Sequence, residues 1–123
     1  MKFTIRSRIN SIRYAIEGIA SMIRNEHNSR IHIIAALLVI ILGIVFRISP
    51  GEWMALVIVI GLVFITELIN SAIENLADLV DPDENPGIKR LKDYAAASVF
   101  IAAITAIITG ALIFIPDFMS LLN

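Results

Sequence analysis

Isoleucines set the pattern at the start of the chain. Ile5, Ile9, Ile12, Ile16, Ile19 and Ile23 recur at alternating intervals of four and three, which places them on one stripe of a helix over 3–24. Arg6, Asn10, Arg13, Glu17 and Arg24 fall together on another side. An apolar stripe opposite a basic face suits a helix lying in a membrane interface. A helix packed on a soluble bundle would show the same pattern, but the next segment favours the membrane. Over 31–47 the chain is apolar from Ile31 to Phe46, with His32 as the only ionisable residue in that stretch. This is somewhat short of the ~20 residues that a span needs, a deficit that tilt and flanking residues supply.

Ser49, Pro50 and Gly51 mark a turn. A second span follows over 52–80, apolar from Trp53 to Ile65 and then increasingly polar. The run from Asp81 to Gly87 is punctuated by Pro82, Pro86 and Gly87 and reads as a loop. A third span covers 88–115; Lys89, Arg90, Lys92 and Asp93 occupy its first turns. Along it Ser98, Ala102, Ala106 and Gly110 recur every four residues, a ridge of small side chains on which another helix can pack closely. The expected architecture is all-α: one integral-membrane domain over 1–123, with an amphipathic surface helix and three transmembrane helices. No internal repeat or low-complexity tract is present.

Composition agrees with this pattern. Of 123 residues, 58% are hydrophobic and 17% charged, and the mean hydropathy is +0.84. Soluble domains are about 45–50% apolar and about 25% charged. The net charge of −1 argues against a nucleic-acid binder, which carries a basic excess. With no cysteine, disulfide and thiol chemistry are excluded. The N-terminal basic residues are spread from Lys2 to Arg30 without the apolar core and small-residue cleavage site of a signal peptide, so the whole chain is expected to remain. Nine of the ten Lys and Arg residues lie before the first span or between the second and third, and only Arg47 lies in the other loop. By the positive-inside rule, the N-terminus and the acidic loop face the cytosol and the C-terminus faces out.

The candidate chemistry lies on the second span. Glu67, Asn70, Glu74, Asp78 and Asp81 are three, four, four and three apart and share one helical face. Asp78 and Asp81 read as solvated charges at the membrane exit. Glu67 does not, because it sits among Phe64, Ile65, Leu68 and Ile69. An ionised side chain at that depth costs about 2.5–3.5 kcal/mol on insertion scales and marks a functional position. Clustered carboxylates are the ligands Mg²⁺ prefers, together with water and substrate phosphates. A carboxylate also takes a proton from a hydroxyl. Lys92 and Asp93 open the next helix on the same side of the membrane, where a lysine meets a phosphate and a helix N-terminus favours an anion. Metal, positive clamp and base together point to phosphoryl transfer at the membrane surface. Neither G-x-x-x-x-G-K-[ST] nor G-x-G-x-x-G occurs. His27 and His32, five apart with no cysteine, make no zinc pattern. His27 reads as a surface residue and His32 as an interfacial one.

The run Glu67-Leu68-Ile69-Asn70-Ser71-Ala72-Ile73-Glu74, followed by Asp78 and by Lys92-Asp93, resembles the bacterial diacylglycerol kinase and undecaprenol kinase family. The resemblance covers nearly the whole chain, including the Asn25-Glu26 pair before the first span. It implies a homotrimer in the bacterial inner membrane, with active sites between neighbouring protomers, that moves the γ-phosphoryl group of ATP to a lipid hydroxyl with Mg²⁺. Carried over by position, Glu67 matches the catalytic base and Asn70 a polar residue of the catalytic face. Glu26 and Glu74 match metal-binding glutamates that also serve the nucleotide site. Tyr14, Asp83, Glu84, Asn85, Lys92 and Asp93 match nucleotide contacts, and Arg30 matches a basic residue near the lipid site. An arginine of the surface helix aligns with Ser7, flanked here by Arg6 and Arg8. Arg24-Asn25-Glu26, His32, Glu52-Trp53 and Glu84-Asn85-Pro86 look more like the undecaprenol kinase branch.

Two other functions are set against this one. An ion or proton carrier also uses intramembrane carboxylates, but it needs acids through the outer half of the membrane, where the first span and the outer part of the third show none. A non-catalytic membrane subunit, held by the Ser98–Gly110 ridge, leaves Glu67 unexplained.

Overall fold

The computed structural model describes residues 3–123, so Lys2, one of the basic residues used for the orientation, lies outside the described residues. Four helices follow one another, with no strand among the described residues: α1 (Ile5–Asn25), α2 (His27–Val45), α3 (Pro50–Val80) and α4 (Pro86–Leu122). The last three are long and apolar enough to cross a membrane.

Capping chemistry sets most helix ends and moves them from the hydrophobic limits, although α3 still ends at Val80. Thr4 caps α1 in a box closed by Ser7, so the helix begins at Ile5, and Phe3 stays outside it. Only Glu26 separates α1 from α2. The corner is tied by α2, which starts four residues before the apolar run. Ser29, fully buried, places Oγ 2.7 Å from Glu26 O and 3.0 Å from Met22 O. Arg30 donates from Nε to Ile23 O and from Nη2 to Arg24 O, satisfying carbonyls that the end of α1 leaves open.

At its other end α2 closes with a Schellman motif: Ile48 N donates to Gly43 O and Arg47 N to Ile44 O. Arg47 takes the left-handed position, at φ 51°. Ser49 then caps α3 through Glu52, with Pro50 in the first turn, where its missing N–H costs nothing. Asn85 caps α4, accepting from Gly87 N and Ile88 N.

α4 runs seven residues past the expected limit at 115, through Pro116. An internal proline removes one hydrogen bond, and transmembrane helices tolerate this. Aromatic packing holds the final turns: the Phe46 ring centroid lies 6.4 Å from that of Phe114 and 5.0 Å from that of Phe118. The extension places Asp117 in the C-terminal turns of α4, so that end does carry an acid.

α3 and α4 pack along much of their length, whereas α2 meets α3 at fewer points. Ile48, Leu56, Ile113 and Phe114 form the buried cluster at the end of the bundle that holds the α2–α3 turn. On the Ser98–Gly110 ridge, Ala102 is buried, while Ala106 and Gly110 line an apolar cavity of about 370 Å³ between α2, α3 and α4. The isoleucine stripe of α1 is uncovered throughout, from 82% exposure at Ile5 to 36% at Ile23, which leaves it for a lipid interface rather than a protein core.

Candidate active site

The buried residues of α3 include Leu56, Val59, Val63, Glu67 and Ala77. Intervals of three and four put the first four on one stripe, and Asn70 and Glu74 continue it. The carboxylate face therefore continues, toward the α3–α4 loop, the face that α3 buries in its N-terminal half. Burial along this stripe is complete at Glu67, partial at Asn70 and Glu74, and lost at Asp78, which is exposed.

Glu67 is 2% exposed. Its Oε2 is sealed and has no hydrogen-bond partner among the described residues, as is true of Asn70 Oδ1 and Ser71 Oγ. Sealing an unpaired polar atom opposes folding, by about 1–3 kcal/mol for a typical group and more for a charged one. Three such atoms within five residues mark a place kept for something other than stability. The ionisable groups acting on Glu67 are His32, Glu26 and Glu74. His32 Nε2 lies 3.4 Å from Glu67 Oε2, so His32 faces the site rather than merely occupying the interface. Residues from the α1–α2 corner, from α2 and from two turns of α3 thus share one electrostatic environment.

Lys92 stands further toward the α3–α4 loop. Its Nζ donates to Asp78 Oδ1 at 2.6 Å, joining α4 to α3. Asp78 is therefore a partner and not a free solvated charge. The eleven residues from Glu67 to Asp78 span about 16 Å of helix, and Glu74 lies between them within reach of both Glu67 and Lys92. Lys89 donates to Asp93 at 2.7 Å on the exposed side of α4.

Asp81 is not a free charge either. Oδ1 accepts from Asp83 N, and Oδ2 accepts from the backbone N and the Nδ2 of Asn85. The amide of Asn85 beside it, followed by the Asp83 N–H, holds the Asp81 carboxyl below its ordinary range. Within this loop Glu84 adopts φ 58°. The Asn85 side chain is occupied in capping α4, while Asp83 and Glu84 are exposed.

The other expected site residues are dispersed. Tyr14 is 66% exposed on α1. Ser7 is used in the α1 cap. The Arg8 guanidinium lies 4.1 Å above the Phe3 ring, and Arg6 has no ion pair among the described residues. Arg30 spends two donors on α1 carbonyls. Sequence reasoning missed Ser29 altogether, since no periodic signal distinguishes a serine that is fully buried at a corner.

Among the described residues no three His, Asp or Glu side chains form a closed metal cage. Mg²⁺ does not need one, because it binds through one or two carboxylates together with substrate phosphates and water. Glu26 and Glu74, both acting on Glu67, are hard oxygen donors of that kind.

Near the C-terminal end of α4, Asp117 Oδ2 is also sealed and has no hydrogen-bond partner among the described residues. Between that level and Glu67 the inward stripe of α3 is Leu56, Val59 and Val63, so no ladder of acids connects the two.

Comparison with known proteins bears on this arrangement. Residues 13–114 match the family model described as prokaryotic diacylglycerol kinase. The undecaprenol kinase of Bacillus subtilis (strain 168) is 40% identical over 84% of this chain and 84% of its own length. A diacylglycerol kinase of Synechocystis sp. is 34% identical over 91% of this chain and 65% of its own length. That of Haemophilus influenzae is 33% identical over 86% of this chain and 91% of its own length. The matched range takes in the corner glutamate, the whole inward face of α3 and the Lys92-Asp93 turn, and with three membrane-length helices it makes this chain a multi-pass member of the prokaryotic diacylglycerol kinase family.

Proposed function

We propose that this protein is a membrane lipid kinase that transfers the γ-phosphoryl group of ATP to the hydroxyl of a long-chain membrane lipid, with undecaprenol the preferred acceptor over diacylglycerol. The observation that carries the reading is the sealed carboxylate of Glu67 on a membrane-spanning helix, within the electrostatic reach of Glu26 and Glu74. Family membership supports the same activity, and the B. subtilis relative named undecaprenol kinase supports the choice of lipid.

Glu67 acts as general base. The lipid oxygen forms its bond to the γ-phosphorus as the bond to the β–γ bridging oxygen breaks, ADP leaves, and the hydroxyl proton goes to Glu67. Asn70 presents its amide on the same face and orients the reacting groups. Glu26 and Glu74 hold Mg²⁺, which supplies charge neutralisation on the phosphate oxygens. Lys92, oriented by Asp78, meets phosphate oxygens at the cytosolic end of the face. Tyr14, Asp83, Glu84, Asn85 and Asp93 contribute nucleotide contacts, and Arg30 lies toward the lipid. The chain works as a homotrimer in the bacterial inner membrane, N-terminus in the cytosol and C-terminus outside. The distribution of Lys and Arg supports that orientation. The uncovered apolar faces of α2–α4 leave surface for both lipid and a second protomer.

The test is phosphotransfer by the purified protein from γ-labelled ATP with Mg²⁺ to undecaprenol and to diacylglycerol in parallel. Label in undecaprenyl phosphate at a higher kcat/KM than in phosphatidate is the expected result. Absence of label in both lipids contradicts the activity, and a preference for diacylglycerol contradicts the choice of acceptor.

A further inference from the structure

Besides the packing of Val39 and Leu42 on the Leu56 cluster, two close contacts join α2 to α3. Near the α2–α3 turn Gly43 lets the Trp53 indole approach so closely that a β-carbon on Gly43 would lie 2.6 Å from Trp53 Cη2. Eleven residues earlier on α2, His32 meets Glu67. Between these points lies the apolar cavity, with His32 at its edge. The second contact is polar and sits on the carboxylate that the proposed mechanism uses.

Three observations give this contact a role. The Glu67 oxygen that His32 faces, Oε2, is the sealed one, and Oε1 is not sealed in this way. The Glu67 side chain is 3% exposed and that of His32 23%, so the contact is largely shielded on the carboxylate's side. The charged groups around Glu67 are otherwise both acids, Glu26 and Glu74, so His32 is the one neighbour in that group able to donate a proton to a carboxylate oxygen. The N···O distance of 3.4 Å is longer than the usual range of about 2.7–3.2 Å. Hydrogen bonds of catalytic groups are commonly long without substrate and tighten in the reactive complex.

We propose that His32 is the positioning residue for Glu67: its Nε2–H donates to Glu67 Oε2, anchoring that oxygen and turning Oε1 to the lipid hydroxyl. The proposal rests on Glu67 being the base. Without His32 the carboxylate has no donor to fix its rotation, since Asn70 Oδ1 and Ser71 Oγ, the two other sealed atoms nearby in α3, make no hydrogen bond to it, and its reactive oxygen is no longer fixed.

The test uses the purified full-length protein, ATP with Mg²⁺, and undecaprenol and diacylglycerol as probe lipids, with kcat and both KM values measured. His32→Leu is expected to lower kcat by about 10²-fold, the scale of a misplaced catalytic group, and to leave KM for ATP unchanged. His32→Gln carries an amide nitrogen to nearly the position of Nε2 and should recover most of the loss; His32→Asn, with the same amide on a shorter stem, should not. Adding His32→Leu to Glu67→Gln should cause no further loss. Wild-type kcat in His32→Leu, equal activity of the Gln and Asn variants, or a full additional loss in the double variant would each overturn the positioning role. The Gln–Asn comparison decides the matter if His32→Leu fails to fold. A fully active Glu67→Gln overturns the base and this proposal with it. An inactive Glu67→Gln beside a fully active His32→Leu overturns this proposal alone.

Discussion

Lys92 Nζ and Asp78 Oδ1 lie 2.6 Å apart and join the last turns of α3 to the first turns of α4. The lysine side chain is 23% exposed and the aspartate 57%, so the pair is partly screened by water. If Lys92 meets phosphate, Asp78 orients it without touching nucleotide. Asp78→Asn should then raise KM for ATP by no more than about fivefold, as expected for a partly exposed pair. Lys92→Ala should raise it further, and neither variant should change KM for the lipid. Steady-state kinetics with each substrate varied in turn separates these effects.

The turn after α2 gives a prediction about stability. Arg47 is held at φ 51°, a conformation that costs a residue with a β-carbon about 1–2 kcal/mol. Glycine is the usual residue at this position of a Schellman motif. Arg47→Gly should therefore raise the thermal midpoint in detergent, by an amount corresponding to roughly 1 kcal/mol, with activity unchanged. Loss of stability would mean that the arginine side chain makes an interaction that outweighs the strain.

Gly43 offers the converse. A β-carbon there meets the Trp53 ring at 2.6 Å and 2.9 Å. Gly43→Ala should destabilise the protein by about 1–3 kcal/mol, the usual cost of overpacking. Trp53→Leu in the same chain should relieve part of the loss. Thermal unfolding of the single and double variants checks both statements.

The loop between α3 and α4 is sensitive to acid through Asp81. Its carboxyl is lowered in the folded protein by the Asn85 amide and the Asp83 N–H. A lowered group stabilises the folded state above its unfolded value, about 3.9, and that contribution disappears as pH falls through the lower folded value. Amide exchange or proteolysis at 81–86 should accelerate only below about pH 4. Asp81→Asn should remove this pH dependence while leaving a loop that is already looser at neutral pH.

Much of this architecture is legible in the amino-acid order. The isoleucine stripe of α1 and the three apolar runs follow from periodicity and hydropathy. Glu67 stands out because a carboxylate among Phe64, Ile65 and Leu68 has no bland explanation. The ends are less legible, because they depend on side chains bonding to backbone rather than on hydrophobic pattern. Arg30 closing α1, Arg47 in a glycine position and Asn85 capping α4 are all local hydrogen-bond decisions. The run of α4 through Pro116 to Leu122 depends on Phe46 reaching Phe118 from another helix, and no linear pattern records that. The same holds for the partners of Asp78, Asp81 and His32, which lie across a helix–helix interface or a folded loop.

The most direct test of the account is the rate of phosphotransfer by Glu67→Gln, measured with saturating ATP, Mg²⁺ and lipid alongside binding of a non-hydrolysable nucleotide. Removal of a general base predicts a fall in kcat of about 10²–10⁴-fold, with nucleotide affinity and oligomeric size unchanged. A variant that transfers phosphoryl groups at the wild-type rate would contradict the central claim that the sealed carboxylate on α3 takes the lipid's proton.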